Sequence, residues 1–172
     1  MLVFVIGAPG SGKGTLCRKL CTEFGYSHLS VGDHLRAIVE TRRAVLDQEV
    51  IDRIQRSELL HVDDLLPILQ DAVHQLENYG AEVIFIDGFP RQIGQVMAEG
   101  RSTLRPHLVL FFDCPREIAK ERYLVRALAG RDSNPEVFAR RYEEFAQSNR
   151  LLVQEYAGRG VLLAVSHGQQ CS

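Results

Sequence analysis

Short runs of apolar residues recur along the chain and alternate with longer stretches of mixed polarity. Residues 2–6, 83–86 and 108–112 form the strongest runs, and residues 161–165 form a weaker fourth run. Their apolar character is continuous rather than alternating, which is typical of strands covered on both faces. The stretches between them favour helices, so we predict an α/β fold with a central parallel sheet and right-handed crossovers.

Helical patterns are predicted over residues 16–24, 116–126 and 136–158. Residues 28–79 are predicted to be mostly helical, with Asp63 and Asp64 near the start of one helix. This segment is too long for a plain crossover, so we expect it to include an inserted substrate-binding arm. In the last helix, Glu143 and Glu144 are predicted to lie on a solvated face.

The segment Gly7-Ala-Pro-Gly-Ser-Gly-Lys-Gly-Thr15 joins the first predicted strand to the first predicted helix. Its glycines permit backbone angles that a Cβ forbids, so the loop can turn its N–H groups inward around a polyphosphate. The positive end of the next helix points to the same place. Lys13 adds an ammonium, and Thr15 adds a hydroxyl near metal-bound oxygens. We therefore predict a three-layer fold of the phosphate-loop NTPase class.

A second motif, Asp87-Gly-Phe-Pro-Arg91, follows the second strong strand. Ligands of open α/β sheets bind at the carboxyl ends of the strands, so this turn is expected to face the phosphate loop. A carboxylate there is the usual second contact to Mg²⁺, often through water. Gly88 and Pro90 shape the turn that presents Arg91. The alternative interpretation is an ordinary strand-ending turn with a solvated arginine.

Arginines are spaced along the chain in a way that suits phosphate chemistry. Phosphoryl transfer requires positive charge around the moving group, and the planar guanidinium matches phosphate oxygens. For any single arginine, the alternative is a solvated helix face. The arginines considered are Arg36, Arg91, Arg122, Arg126, Arg131, Arg140 and Arg141.

Composition narrows the class of partner. The chain has 172 residues and a net charge of −2, which suits one domain without the strong basic field that a nucleic-acid polymer or an anionic membrane requires. No window reaches the length of a transmembrane helix, and the first residues do not resemble a signal peptide.

The four cysteines show no zinc-site spacing, so we expect reduced thiols in a cytosolic or nuclear compartment. We also expect a monomer.

Four blocks of sequence together resemble the adenylate kinase family of nucleoside monophosphate kinases. They are the phosphate loop, His28-Leu-Ser-Val-Gly-Asp-His-Leu-Arg36, Asp87-Gly-Phe-Pro-Arg91 with Gln95, and Gly130-Arg-Asp followed by Arg141. They occur in family order over residues 1–165, and residues 108–115 are similar to the uridylate–cytidylate kinase (UMP-CMP kinase) branch. The resemblance implies one kinase domain over residues 1–172. It also implies a monophosphate-binding arm at about residues 30–60 and a short lid at about residues 127–135.

This resemblance implies reversible transfer of the γ-phosphoryl group of ATP, with Mg²⁺, to a nucleoside monophosphate, UMP or CMP. The implied ATP-binding residues are Gly10, Ser11, Gly12, Lys13, Gly14, Thr15 and Arg122. The implied monophosphate-binding residues are Ser30, Val31, Arg36, Leu60, Gly88, Arg91, Gln95, Arg126, Arg131 and Arg141. The implied catalytic residues, which surround the transferred group, are Lys13, Arg91, Arg131 and Arg141. The implied metal-binding residues are Thr15 and Asp87, the latter through water.

Two alternatives stay open. Val31 stands where the adenylate branch usually has threonine and the uridylate–cytidylate branch has alanine, and Gln95 occurs in both adenylate and fungal-type uridylate kinases. An adenylate kinase acting on AMP is therefore the first alternative. Ser133 stands where the family often has a second aspartate, and the chain stops at Ser172, where the family continues into a terminal helix. These departures favour the second alternative, a catalytically weakened nucleotide-binding paralogue.

Overall fold

The computed structural model of the protein describes residues 1–42, 46–125 and 134–166. The strands in these ranges are β1 (Leu2–Gly7), β2 (Ser27–Ser30), β3 (Ile84–Asp87), β4 (Leu108–Asp113) and β5 (Leu162–Ser166). The helices are α1 (Lys13–Phe24), α2 (Val31–Arg42), α3 (Gln48–Gln55), α4 (Val62–Asn78), α5 (Ile93–Met97), α6 (Arg116–Val125) and α7 (Pro135–Gly158). A 3₁₀ helix, Ala98–Arg101, follows α5. Among these helices, none combines the length and the apolar character needed to cross a bilayer.

The five strands form one parallel sheet in the order β2-β3-β1-β4-β5, which confirms the predicted fold class. The register aligns the ends of three neighbouring strands. Asp87 at the end of β3 lies opposite Val5 of β1 on one side and Ser30 of β2 on the other. Gly7, where the phosphate loop begins, lies opposite Phe112 of β4. The loop, the Asp87 turn and the start of α2 therefore leave the sheet at one edge.

Alternate residues of the central strand β1 pack on opposite sides of the sheet. Val3 and Val5 lie in a cluster with Phe85 and with residues of α1. Phe4 and Ile6 lie in a larger cluster on the other side, together with residues of α4 and α7. Because both faces are covered, both sets must be apolar, which explains the uninterrupted apolar run in the sequence. The predicted three layers are confirmed.

Residues 28–79 are mostly helical, as predicted, but they overlap a strand that the apolar pattern did not reveal. This strand, β2, has the sequence Ser-His-Leu-Ser, and only Leu29 within it is buried. It lies at the edge of the sheet and pairs with β3, so its backbone hydrogen bonds rather than its side chains define it. Asp63 and Asp64 occupy the first turn of α4, where the helix dipole favours acidic groups, and this prediction is confirmed.

We predict that Leu69→Ala lowers the free energy of unfolding by about 2–5 kcal/mol, the range typical of a leucine truncated in a packed core. Leu69 on α4 has no exposed surface. The matched control is Leu151→Ala on α7, where the leucine is 50% exposed, and its effect should stay within about 0.5 kcal/mol. Urea denaturation of both variants measures the difference. Equal losses would contradict the placement of α4 in the core.

Candidate active site

Lys13 reaches back over the phosphate loop from the first position of α1. Its Nζ donates hydrogen bonds to the carbonyl oxygens of Gly7, at 2.9 Å, and Ala8, at 2.7 Å. It also lies 3.4 Å from Oγ of Ser11, which is fully buried beneath the loop. The ammonium is therefore held at the N-terminus of a helix, where free N–H groups and the helix dipole favour an anion.

Two glycines of the loop are required for different reasons. Gly10 has φ +83°, and a Cβ there would lie 2.0 Å from the carbonyl oxygen of Ala119 in α6. Gly12, the residue that caps α1, has φ +96°, but a Cβ there would meet nothing within 4 Å. Gly10 thus permits close packing of the loop against α6, whereas Gly12 permits only the backbone angle.

Asp87 directs its carboxylate toward the start of α1, as the sequence predicted. A Cβ on Gly14 would lie 3.0 Å from Oδ2 of Asp87, so the carboxylate sits directly beside the loop. Nε2 of His28 lies 3.4 Å from the same oxygen. Burial raises the pKa of Asp87, but the contact with His28 and the charges of Lys13 and Arg91 outweigh burial, and the pKa stays below its ordinary value. Asp87 is therefore an anion at neutral pH.

Arg91 is anchored by the turn that carries it. Its Nε donates to the carbonyl oxygen of Gly88 at 2.9 Å. Gly88 has φ +88°, and a Cβ there would lie 3.1 Å from the guanidinium, so the turn requires glycine. Burial, followed by the neighbouring charge of Arg141, lowers the pKa of Arg91 to about 10. Arg91 remains charged at neutral pH. A bound anion would compensate for its burial and for the repulsion from Arg141.

Two further arginines complete this positive cluster. Arg36 on α2 forms an ion pair with Asp33, whose other carboxylate oxygen accepts a hydrogen bond from Ser30 at 2.7 Å. The guanidinium of Arg141 on α7 lies 5.9 Å from the centre of the Tyr123 ring on α6. Three arginines from three separate elements thus face one region, which indicates a site for phosphate.

These groups line one cavity of about 590 Å³ at the carboxyl ends of the strands. This volume lies within the range typical of small-molecule sites. The predicted site residues that line it are Gly10, Gly12, Lys13, Gly14, Ser30, Arg36, Asp87, Gly88, Arg91 and Arg141. The cavity therefore brings together the proposed donor-side and acceptor-side groups.

Residues of α7 that the sequence did not predict also line this cavity. Glu144 and Asn149 face it, and the negative charge of Glu144 acts on Arg91. The prediction of a solvated face is confirmed for Glu143, which is exposed, and is wrong for Glu144. A pair of adjacent glutamates carries no signal of which one faces a cavity, because that depends on how the helix packs.

A smaller adjoining pocket contains three more of the predicted acceptor-side residues. Val31, Leu60 and Gln95 line it, and it shares Arg36, Gly88, Arg91 and Arg141 with the larger cavity. Oε1 of Gln95 accepts a hydrogen bond from the backbone N–H of Arg91 at 2.7 Å, which orients the amide. The buried Nε2 of Gln95 has no acceptor among the described residues. The pocket therefore places apolar side chains and an unmatched amide donor beside the shared arginines.

Some predicted residues do not line either of these cavities. Ser11 is buried below the loop, Thr15 is exposed on the first turn of α1, and Arg122 is exposed on α6. Arg126 and Arg131 lie outside the described residues, as does most of the predicted lid. The assignments of these residues stay predictions.

A comparison of the whole sequence with models of known families agrees with this fold and this cavity. The family model for adenylate kinase matches residues 5–161. The chain belongs to the adenylate kinase family. The matched range contains the phosphate loop, the Asp87 turn and Arg141, so the resemblance noted in the sequence is confirmed.

Individual members of the adenylate kinase family are similar over most of the chain. UMP-CMP kinase 3 of Arabidopsis thaliana is 35% identical over 162 residues, which cover 92% of this chain and 77% of that protein. Adenylate kinase isoenzyme 1 of Oryctolagus cuniculus is 34% identical over 167 residues, covering 96% of this chain and 85% of the relative. Uridylate kinase of Saccharomyces cerevisiae is 31% identical over 166 residues, covering 95% and 81%.

In this member of the adenylate kinase family, we predict that Gly10→Ala destabilises the fold more than Gly12→Ala does. Both substitutions place alanine at a positive φ, which costs roughly 1–2 kcal/mol. Only Gly10→Ala also drives a methyl group into the backbone of α6. Thermal unfolding of the two variants without nucleotide gives the comparison. Equal melting temperatures would mean that the loop does not pack on α6 as described.

Proposed function

We propose that the protein is an ATP-dependent nucleoside monophosphate kinase that transfers the γ-phosphoryl group of ATP reversibly to UMP or CMP. The observation that carries this proposal is that the phosphate loop with Lys13 lines one cavity together with Arg36, Arg91 and Arg141. We propose the loop as the polyphosphate site and the three arginines as the site of the acceptor phosphate. Holding two nucleotides with their phosphates facing each other is what phosphoryl transfer requires.

The chemistry needs little from the protein beyond position and charge. An oxygen of the acceptor phosphate is already anionic, so it attacks the γ-phosphorus without a strong general base. The new P–O bond forms as the bond to the ADP oxygen breaks. Lys13, Arg91 and Arg141 stabilise the charge on the group in transfer. Among the described residues that line the cavity, none is a histidine, which agrees with this mechanism.

Mg²⁺ is the cofactor that the proposal requires, with ATP as the phosphoryl donor. The carboxylate of Asp87 fits this ion, because it is a hard oxygen donor that lies beside Gly14 at the start of α1. The hydroxyl of Thr15 is proposed as a second ligand on the resemblance alone. Asp87 would contact it through water. When bound, Mg²⁺ neutralises phosphate charge, while the protein residues orient the nucleotides. The lowered pKa of Asp87 keeps the carboxylate ionised for this role.

The remaining assignments are proposed on the resemblance alone. Arg122 is proposed to contact the donor nucleotide, and Arg126 and Arg131 to reach the phosphates from a short lid. Residues around 30–60, which include α2 and α3, are proposed as the monophosphate-binding arm. We also propose that the protein acts as a monomer in the cytosol or nucleus. The unpaired thiols of the described cysteines are consistent with a reducing compartment.

The pocket around Gln95 supports a pyrimidine acceptor. Its free amide N–H groups can donate to a carbonyl oxygen of uracil or cytosine, and Val31 presents only methyl groups. AMP is the second candidate, because adenine also offers ring nitrogens as acceptors and adenylate kinase isoenzyme 1 is among the similar proteins. The presence of Lys13 and the arginine cluster argues against a catalytically weakened paralogue.

Lys13→Ala is expected to lower kcat about a hundredfold or more, because removing one preorganised charge from the transition state typically has an effect of this size. The control is Lys19→Ala, which removes an exposed lysine from the same helix and should leave turnover unchanged. A coupled assay for nucleoside diphosphate measures both variants, and thermal unfolding verifies that they fold. Near-normal turnover of folded Lys13→Ala would remove Lys13 from the mechanism.

With ATP held constant, UMP or CMP is expected to give a higher kcat/KM than AMP. Two features of the smaller pocket support this preference. Val31 has no hydroxyl, and the amide Nε2 of Gln95 has an unmatched N–H donor for a base carbonyl oxygen. Steady-state kinetics on purified protein with the three acceptors measures this ratio, which reports discrimination in the transition state. A clear preference for AMP would establish the adenylate kinase alternative instead.

A further inference from the structure

A thiol, an imidazole and a carboxylate meet beside the phosphate loop. Cys17 extends from α1, His28 from β2 and Asp87 from β3, and one ligand atom of each lies within 4.8 Å of the other two. In the parts of the chain that the structure describes, this is the one group of three or more potential metal-binding side chains within such a distance.

The register of the sheet explains why these residues meet. His28 lies opposite Phe85, and Ser30 lies opposite Asp87, so His28 and Asp87 are diagonal neighbours on the same face. Cys17 packs in the apolar cluster that α1 forms on that face together with Phe85. The three side chains are thus positioned by the core rather than by a mobile surface.

The ring of His28 is suited to accept an ion. Its Nε2 is buried and lies 3.4 Å from Oδ2 of Asp87, but it makes no well-aligned hydrogen bond with a described residue. A buried polar atom whose nearest partner is poorly aligned is only partly compensated for lost hydration, and a bond to a metal ion would offset the remainder. Imidazole nitrogen is also among the commonest protein ligands of transition metals.

We propose that Cys17, His28 and Asp87 form a binding site for a divalent cation of borderline softness, with Zn²⁺ as the ion that fits. Sulfur, nitrogen and oxygen from these side chains are the three ligand types that zinc takes in proteins. Three protein ligands leave the fourth tetrahedral position for water or a phosphate oxygen. A thiolate also selects against Mg²⁺, which prefers oxygen ligands.

The distances require only small adjustments. Bonds of about 2.0–2.3 Å to zinc place tetrahedral ligand atoms about 3.3–3.8 Å apart. The separation between His28 and Asp87 is already 3.4 Å. The sulfur of Cys17 lies within 4.8 Å of the other two atoms, so a shift of about 1 Å brings it to bonding distance in the same tetrahedron.

Binding must displace the proton of the thiol. Burial, followed by the negative charge of Asp87, raises the pKa of Cys17 to about 12, so the free protein carries a neutral S–H group at neutral pH. Zinc binding forms the S–Zn bond and releases this proton to the solvent. The thiolate and the carboxylate then balance the two positive charges of the ion.

Occupation of this site has a consequence that rests on the proposed kinase function. Asp87 is also the carboxylate proposed to contact Mg²⁺ bound to ATP, and its Oδ2 lies beside Gly14 of the phosphate loop. A zinc ion held by Cys17 and His28 withdraws Asp87 from that role. Zinc is therefore expected to inhibit turnover through this site.

Cobalt(II) is the direct probe, because a thiolate ligand gives Co²⁺ an intense charge-transfer absorption in the near ultraviolet. The full chain, freed of metal by a chelator, is titrated with Co²⁺ and then with Zn²⁺. We expect one equivalent of Co²⁺ with this absorption and its loss on addition of one equivalent of Zn²⁺. Cys17→Ala should abolish the absorption, and His28→Ala should weaken binding at least tenfold.

The matched control is Cys21→Ala, which removes the thiol one turn further along α1 and should leave the absorption unchanged. Thermal unfolding verifies each variant, and Cys17→Ser replaces Cys17→Ala if the smaller side chain destabilises the core. Absence of the absorption in the unaltered chain would overturn the proposal. Its persistence in a folded Cys17 variant would also overturn it, because another thiol would then be the ligand.

Turnover gives the second measurement. At saturating Mg²⁺ and ATP, the zinc concentration for half-inhibition should be at least tenfold higher for Cys17→Ala than for Cys21→Ala. Equal inhibition of both variants would show that zinc does not act by withdrawing Asp87. Absence of turnover in the unaltered chain would overturn the kinase function, while the cobalt titration would still decide whether the metal site exists.

Discussion

The parallel pairing of β1 with β3 is the constraint on which the rest of the site depends. It places Asp87 opposite Val5, so the phosphate loop and the Asp87 turn leave the sheet side by side. The pairing of β2 with β3 then adds the start of α2 at the same edge, with Ser30 opposite Asp87. The apolar clusters on both faces hold this register, because a slip by one residue would exchange side chains of different size and shape between two close-packed clusters.

The cluster of arginines works against folding and in favour of binding. Arg36, Arg91 and Arg141 repel one another, and burial disfavours the charge of Arg91, as its lowered pKa reflects. The core must therefore hold α7 in place against this repulsion. The buried carboxylate of Glu99, in the 3₁₀ helix, helps to hold α7 in place. It accepts hydrogen bonds from the hydroxyl of Tyr156 and from the guanidinium of Arg159, which caps the end of α7. A bound phosphate would offset the repulsion, so the same charges that destabilise the free protein favour its ligand.

The carboxylate of Asp87 at the end of β3 takes part in both of the proposed metal contacts. By itself, Asp87 offers an oxygen ligand of the kind that suits a hard cation beside a polyphosphate. With Cys17 and His28, it offers a mixed set that suits a softer cation. Which cation binds then depends on the cost of deprotonating a buried thiol and on whether nucleotide is present. A single position at the sheet edge is thus common to the proposed kinase site and the proposed zinc site.

Local patterns in the sequence determined the three main strands, the phosphate loop and the long helices, because continuous apolar runs, glycines and helical spacing act within a few residues of one another. Only the tertiary structure decided the rest. The short polar strand β2 exists through its pairing with β3, and Glu144 faces the cavity through the packing of α7. The spacing of the cysteines predicted no metal site, yet Cys17 lies beside His28 and Asp87. Strand register and helix packing join residues that are distant in the chain, and no local periodicity records those contacts.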